Sequence, residues 1–362
     1  MYLRKLSLIN FKNLPQEDLT FDRGINCFVG DNGTCKTNII DAVYYLSMCK
    51  SALAMSDSQC VRHGENFFVI DGEYENRNGR KEQISCSFTR GAQKVMKRNG
   101  KAYKRLSEHV GVVPVVIVSP ADSVLVSDVA EERRRYINLF LSQLDSDYLE
   151  AMIRYNAVLA ERNKCLKEGA NEEMLLIYDM QLERSAVKIH ATRAAMIERL
   201  QPVVAHYYSL ISGDREKVEL SYRSDMNERP LSELLLASRM RDTVNGFTSC
   251  GVHRDDLLFT IGGMPLRKYG SQGQQKSFIV ALKLAQYHII AEQLGEVPIL
   301  LLDDVFDRLD EGRVAELIKI VSADDFGQII LTDCSRERVE RLMSHCEGCY
   351  KLFNVTYGKV LQ

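Results

Sequence analysis

Phe28-Val29-Gly30-Asp31-Asn32-Gly33-Thr34-Cys35-Lys36-Thr37-Asn38 is the stretch with the richest chemistry in the chain. Its spacing follows the phosphate-loop pattern G-x-x-x-x-G-K-[ST], except that Cys35 stands where the second glycine belongs. Gly30 and Gly33 let the backbone curl so that its N–H groups point at phosphate oxygens. A helix starting near Lys36 offers the positive end of its dipole to the same anion. Lys36 is placed to reach β- and γ-phosphates, and the Thr37 hydroxyl to ligate Mg²⁺. A glycine-rich turn that merely precedes a lysine would look the same, so the loop needs a partner elsewhere.

Two partners stand in the C-terminal third. Val297 to Leu302 is an apolar run that ends in Asp303-Asp304. In a parallel sheet the carboxyl ends of strands face the ligand crevice. Asp303 would then complete a Mg²⁺ shell with Thr37, and Asp304 would orient or deprotonate an attacking water. The second partner is Ser271-Gln272-Gly273-Gln274-Gln275, at the start of a long helical pattern. A hydroxyl and free N–H groups there make an anion site, although a serine N-cap is a common structural device. In ATP-binding-cassette ATPases such a signature lies far from its own phosphate loop and touches the γ-phosphate held by a second subunit.

The elements that must position these residues follow from pattern. Ile25 to Val29 is a strand leading into the loop, and Ile39, Ile40, Val43, Tyr44 and Leu46 form a helical stripe after it. Residues 67–106 read as a β-meander with Asn78-Gly79 and Asn99-Gly100 as hairpin turns. Val112 to Val118 is a buried strand. Glu131 to Gln143, Asp145 to Lys167 and Glu172 to Tyr208 read as long helices, with Leu149, Met152, Ile153 and Asn156 on one face of the second. Strand and helix alternate again from Asp256 onward. The division expected is residues 1–118 and 246–362 as an α/β head assembled from both chain ends, with 119–245 as an inserted helical lobe.

Composition narrows the function classes. The chain has 362 residues, 45% of them hydrophobic and 27% charged, and a net charge of −2, so a nucleic-acid surface must be a local patch. The hairpin that carries Lys94, Lys97, Arg98, Lys101, Lys104 and Arg105 has no acid between its first and last cation, which suits either a solvated hairpin or a phosphate-backbone contact. No apolar run approaches the ~18 residues of a membrane span. Ten scattered cysteines lack a disulfide framework, and a cytoplasmic location is expected. His345-Cys346-Glu347-Gly348-Cys349 has no second pair of matching spacing, so no zinc site is expected.

The whole chain, in order, resembles the RecF family of bacterial recombinational repair. The resemblance rests on Leu8 to Asn13, Gly30 to Asn38, Ser119-Pro120-Ala121-Asp122, Arg133-Arg134-Arg135-Tyr136, Glu161-Arg162-Asn163, Gly251 to Leu257, Ser271 to Lys276, and Leu302 to Phe306 with Leu309-Asp310. It implies a phosphate-loop, ABC-type ATPase head, a mixed sheet with flanking helices, that closes into an ATP-dependent homodimer. ATP and Mg²⁺ would lie between Lys36, Thr37, Asp303 and Asp304 of one subunit and Ser271 to Gln275 of the other, with Asp310 of the D-loop as a further nucleotide-binding residue. It further implies double-stranded and gapped DNA as ligand, RecO and RecR as partners, loading of RecA on single-stranded gaps, no membrane, and slow ATP hydrolysis that acts as a switch. Lys94 to Arg105 and Arg133, Arg134 and Arg135 are the candidate DNA contacts; the three arginines could equally tie lobe to head. The chain departs from the family pattern at Cys35, at Val252 where a proline is usual, and at Thr332-Asp333-Cys334, where no switch histidine stands. A transporter ATPase subunit and a DNA-binding scaffold with an impaired ATPase are the alternatives.

Overall fold

The computed structural model describes all residues except 54, 77–78, 128, 170, 307–309, 324, 345–349 and 362. The histidine–cysteine cluster at 345–349, Asn78 of one expected turn and Leu309 lie outside the described residues. The chain divides into two compact units: Met1–Ser123 with Leu210–Gly213 and Gln272–Gln362, and Val124–Ser209 with Asp214–Ser271.

The first unit holds two sheets. One is antiparallel, in the order β2-β1-β4-β5-β6-β7, formed by β1 (Tyr2–Phe11), β2 (Leu14–Thr20), β4 (Phe67–Glu75), β5 (Lys81–Thr89), β6 (Val95–Arg98) and β7 (Lys101–Ala102). Its strands alternate as a one-sided sheet must: along β5, Ile84, Cys86 and Phe88 are buried between more exposed Gln83, Ser85 and Ser87. The other sheet runs β15-β14-β3-β13-β12-β8, through β3 (Ile25–Val29), β8 (Val115–Val118), β12 (Ile299–Asp303), β13 (Ile329–Asp333), β14 (Tyr350–Thr356) and β15 (Lys359–Leu361). All its neighbours are parallel except the edge pair β14 and β15. Every residue of β3, β12 and β13 is buried, as expected for parallel strands covered on both faces.

Helix α1 (Lys36–Met48) touches strands of both sheets, which explains why it is buried nearly all round, Asp41 and Ser47 included, rather than along one stripe. Ile39, Ile40, Val43, Tyr44 and Leu46 are all buried, as the pattern predicts. On the antiparallel side its Tyr45 meets Phe68 edge-on at 5.5 Å, and Phe68 meets Phe11 at 5.4 Å. The unit is completed by α8 (Gln272–Leu294), α9 (Glu311–Val321) and α10 (Arg336–Met343). Asp122 of the Ser119–Asp122 motif accepts from its own Ser119 N–H at 2.8 Å and pairs with Lys283 of α8 at 2.7 Å. That motif is a structural clip.

The second unit contains α2 (Val124–Ser127), α3 (Ala130–Leu144), α4 (Ser146–Lys167), most of α5 (Glu172–Ser212), α6 (Leu231–Asn245) and α7 (Leu266–Tyr269). It also holds an antiparallel sheet, β11-β10-β9, of β9 (Val218–Arg223), β10 (Asp256–Ile261) and β11 (Met264–Pro265). This sheet sets the division at Ser271 rather than at residue 245: β10 pairs with β9 along its whole length, from Asp256 opposite Arg223 to Ile261 opposite Val218. The unit is therefore α/β rather than purely helical. The buried face of α4 also differs from the expected one. Tyr148, Met152, Tyr155 and Arg162 point inward, whereas Ile153 is 52% exposed and Asn156 is exposed.

Charge holds this unit's centre. Arg162 is fully buried, pairs with Asp179 at 2.7 Å and Asp242 at 3.1 Å, and donates to Thr248 Oγ1 at 2.8 Å. Arg193, also buried, pairs with Asp255 at 2.7 Å and donates to the Val252 carbonyl at 2.7 Å. His253 Nδ1 lies 2.8 Å from the Tyr155 hydroxyl. The Glu161–Asn163 and Gly251–Leu257 motifs thus supply internal staples. Removing one partner of a buried pair strands the other charge. Arg162→Ala is expected to lower stability by about 3–5 kcal/mol in urea denaturation, and a loss below about 1 kcal/mol would contradict this role.

Candidate nucleotide-binding site

Strand β3 delivers Gly30 into a backbone position that only glycine fits: an added Cβ would lie 2.1 Å from the carbonyl oxygen of Val355 in β14. Gly33 has φ +83° and open space on its Cβ side. Cys35, the residue before α1, is also left-handed, with φ 87° and ψ 4°. The position does require a glycine-like backbone, and a side chain there costs about 1–2 kcal/mol. The Cys35 side chain is 6% exposed, against the Gly358 backbone and the Asn13 side chain, and burial pushes its thiol up. Thr34 Oγ1 donates to the Asp31 carbonyl at 2.7 Å, while Asp31, Asn32 and Gly33 are exposed. Lys36 Nζ donates to the carbonyls of Gly30 at 2.6 Å and Asp31 at 2.8 Å. The first turn of α1 holds no acid of its own.

The carboxylates meet the loop through sheet register. Parallel pairing sets Asp303 opposite Thr332 and Thr332 opposite Phe28. Asp303 Oδ1 accepts from Thr37 Oγ1 at 3.0 Å and from Thr332 Oγ1 at 2.7 Å. Burial pushes the Asp303 carboxyl up, and these two hydroxyls pull it back. Asp304 follows in a left-handed conformation, φ 48°, with its N–H on Thr332 Oγ1 at 3.1 Å. Its Oδ1 is buried, with no hydrogen-bond partner among the described residues. A strained residue holding an unsatisfied buried carboxylate oxygen is a mark of a functional position. At the place of a switch histidine, buried Asp333 is held by Arg338 Nη2 at 2.8 Å and Nε at 3.0 Å, and by the Ser335 N–H at 2.6 Å.

Lys36, Thr37, Asp303 and Asp304 are thus brought together, with Thr332 as a hinge the sequence reading missed. Its hydroxyl lies in an apolar strand and gave no motif signal. Asn13, hydrogen-bonded to Asn38 and adjoining Cys35, was visible only as part of an N-terminal motif. Ser271 and Gln272 are exposed at the head of α8, with Gly273, Gln274 and Gln275 half-buried. Asp310 caps α9: it accepts from the Arg313 N–H at 2.9 Å and pairs with the Arg313 side chain at 3.1 Å. Arg313 Nη1 in turn donates to Ser277 Oγ of α8 at 2.8 Å.

The candidate cations separate into two groups. Lys97, Lys101, Lys104 and Arg105 are exposed on and after the β6–β7 hairpin. Lys94 instead donates to the Cys49 carbonyl at 2.6 Å and pairs with Asp57 at 3.1 Å. Arg98 holds Glu82 in a two-pronged pair at 2.8 and 3.0 Å. Arg133 grips Asp256 at 2.7 and 3.2 Å, Arg134 donates to the Asp255 carbonyl at 2.8 Å, and Arg135 lies 3.6 Å from Glu132. Arg133 and Arg134 tie residues 130–144 to the segment after 246, as the structural alternative expects, and both ends lie within the second unit. The acid of Arg133 lies 123 residues along the chain, whereas Arg135 meets an acid three residues before it.

A family model described as RecF/RecN/SMC N terminal domain matches residues 2–359. The DNA replication and repair protein RecF of Bacteroides thetaiotaomicron is 45% identical over 362 residues, covering 99% of this chain and 98% of its own. The chain belongs to the RecF family. The Flavobacterium johnsoniae RecF is 44% identical over 360 residues, covering 98% of this chain and all of its own. The solved structure of the recombination mediator protein RecF with ATP, in the RecFOR pathway, superposes with a TM-score of 0.89 at 30% identity, covering 99% of this chain and 97% of that one. The Smc head domain of Pyrococcus furiosus shares the fold, with a TM-score of 0.60 at 17% identity. The expected ABC-type ATPase head is therefore the fold of this chain, with the parallel sheet and its antiparallel edge strand as the mixed sheet.

Thr332→Val removes the donor to Asp303 and the acceptor of the Asp304 N–H while nearly preserving shape. It is expected to cost about 1–3 kcal/mol in denaturant unfolding; an unchanged midpoint would show that Thr332 does not hold the two carboxylates.

Proposed function

We propose that this protein is an ATP-switched DNA-binding protein of bacterial recombinational repair and replication-fork maintenance, acting in the cytoplasm. The observation that carries the reading is the convergence of Thr37 and Asp303 beside a phosphate loop whose lysine bonds two loop carbonyls. Lys36 exchanges those carbonyls for the β- and γ-phosphates of ATP. The donor set suits Mg²⁺: a hydroxyl and a carboxylate, both hard oxygen ligands, already stand 3.0 Å apart. Thr37 and Asp303 would hold the ion, which neutralises charge on the phosphates. Asp304, with its unsatisfied oxygen, orients the attacking water. The left-handed backbone at Cys35 keeps the loop in its glycine-like path despite the substitution.

Two copies close on two ATP molecules, each held by the loop and carboxylates of one copy and by Ser271 to Gln275 of the other. Closure assembles a surface for double-stranded DNA and gapped junctions, and slow hydrolysis reopens it. With RecO and RecR, the dimer promotes RecA loading on single-stranded gaps. The exposed cations Lys97, Lys101, Lys104 and Arg105 are the DNA contacts; Lys94, Arg98, Arg133 and Arg134 serve the fold.

Light scattering on a sizing column tests the switch. The chain is expected to run as a monomer without nucleotide and as a dimer with ATP·Mg²⁺, and Lys36→Ala and Ser271→Arg are expected to stay monomeric. A monomer in saturating ATP would overturn the proposal. Replacing Lys97, Lys101 and Lys104 with Gln is expected to weaken duplex binding and to flatten its salt dependence by about 0.9 log units per lost phosphate contact. An unchanged salt slope would remove the hairpin from the DNA surface.

A further inference from the structure

We propose that the ring of Tyr357 is the platform on which the nucleotide base stacks, an inference that rests on the ATP reading of the phosphate loop. Strand order supplies the direction. The β- and γ-phosphates belong beside Lys36, Thr37 and Asp303, on the side of β3 occupied by β13 and β12. The rest of the nucleotide leads toward the opposite flank of β3, which is β14.

On that flank, β14 outruns β3. Asn354 is the register partner of Val29, the last residue of β3, so residues 355–358 continue alongside the phosphate loop. The Val355 carbonyl presses on Gly30, and the Gly358 backbone reaches Cys35. A Cβ at Gly358 would lie 3.7 Å from the carbonyl oxygen of Asn13. Three segments therefore meet at one point: the start of α1, the β1–β2 turn at Asn13, and the two-residue β14–β15 turn, Tyr357-Gly358, with Gly358 left-handed at φ 71°. At this junction Tyr357 is 84% exposed, an aromatic ring that the fold does not bury. A flat π-face beside an anion-binding loop is what a purine base stacks on. Stacking of this kind tolerates any base, so Tyr357 adds affinity without choosing between adenine and guanine.

The test uses the full chain and two probes, ATP and inorganic tripolyphosphate, with binding followed by calorimetry. Wild type is expected to bind ATP more tightly than tripolyphosphate. Tyr357→Ala is expected to weaken ATP by about tenfold and leave tripolyphosphate unchanged, and Tyr357→Phe to restore ATP. The chain has no tryptophan. Tyr357→Trp therefore installs a single reporter, whose emission ATP and GTP are expected to quench and tripolyphosphate is not. Equal ATP affinity in wild type and Tyr357→Ala, or a tryptophan blind to ATP, would overturn the base platform while leaving the phosphate-loop reading in place. Equal loss of both probes in Tyr357→Ala would make the turn a structural support of the loop and overturn the platform as well. Failure of wild type to bind either probe would overturn the proposed function itself, and the platform with it.

Discussion

One buried carboxylate organises the first unit around the phosphate loop. Asp303 is 5% exposed, and the burial of its charge is offset by two hydroxyls, one from α1 and one from β13. Three elements distant in the chain therefore share one hydrogen-bond centre. Its geometry depends on the parallel register of β12, β13 and β3, because a one-residue slip would turn Asp303 and Thr332 to opposite faces. The fully buried strands hold that register, and α1, covered by both sheets, brings Thr37 to it. The same Thr332 oxygen that donates to Asp303 accepts the N–H of Asp304, so the strained left-handed turn at Asp304 is anchored by the group that anchors Asp303.

The phosphate loop is shaped by backbone contacts more than by side chains. Gly30 is dictated by the approach of the Val355 carbonyl, not by its torsion angle, whereas Gly33 and Cys35 are dictated by positive φ. Cys35 therefore keeps the path of the loop and adds strain, with its thiol folded against Asn13 and Gly358 and away from solvent. That arrangement lets a cysteine replace a glycine in a loop that must leave its N–H groups free for an anion.

Much of this was legible in the sequence for a physical reason: local chemistry writes local patterns. The loop, the apolar strand ending in Asp303-Asp304, the Asp256–Ile261 strand and the three long lobe helices all carry their signals within a few residues. Pairings between distant segments left no such trace. β9 is short and pairs only with β10, so it read as part of a helical lobe and the division was placed at residue 245. Whether Arg98 and Arg133 were contacts or structural stayed open because their acids lie on other elements, Glu82 being 16 and Asp256 123 residues away. On α4 the helical period was right and its phase was not, because Tyr148, Tyr155 and Arg162 face inward with the polar network that Leu149 and Ile153 cannot join. Thr332 and Tyr357 were invisible because a hydroxyl in a strand and an exposed tyrosine in a turn acquire meaning only from what lies beside them.

In the proposed function, nucleotide at the Cys35-bearing loop controls the hold on DNA. The most direct measurement is fluorescence anisotropy of a labelled gapped duplex titrated with the full chain, with and without ATP·Mg²⁺, for the wild type and for Cys35→Gly. The account predicts binding that tightens with ATP in both proteins. Binding of the same strength with and without ATP in both would contradict it, and would leave a DNA-binding scaffold whose ATPase has lapsed.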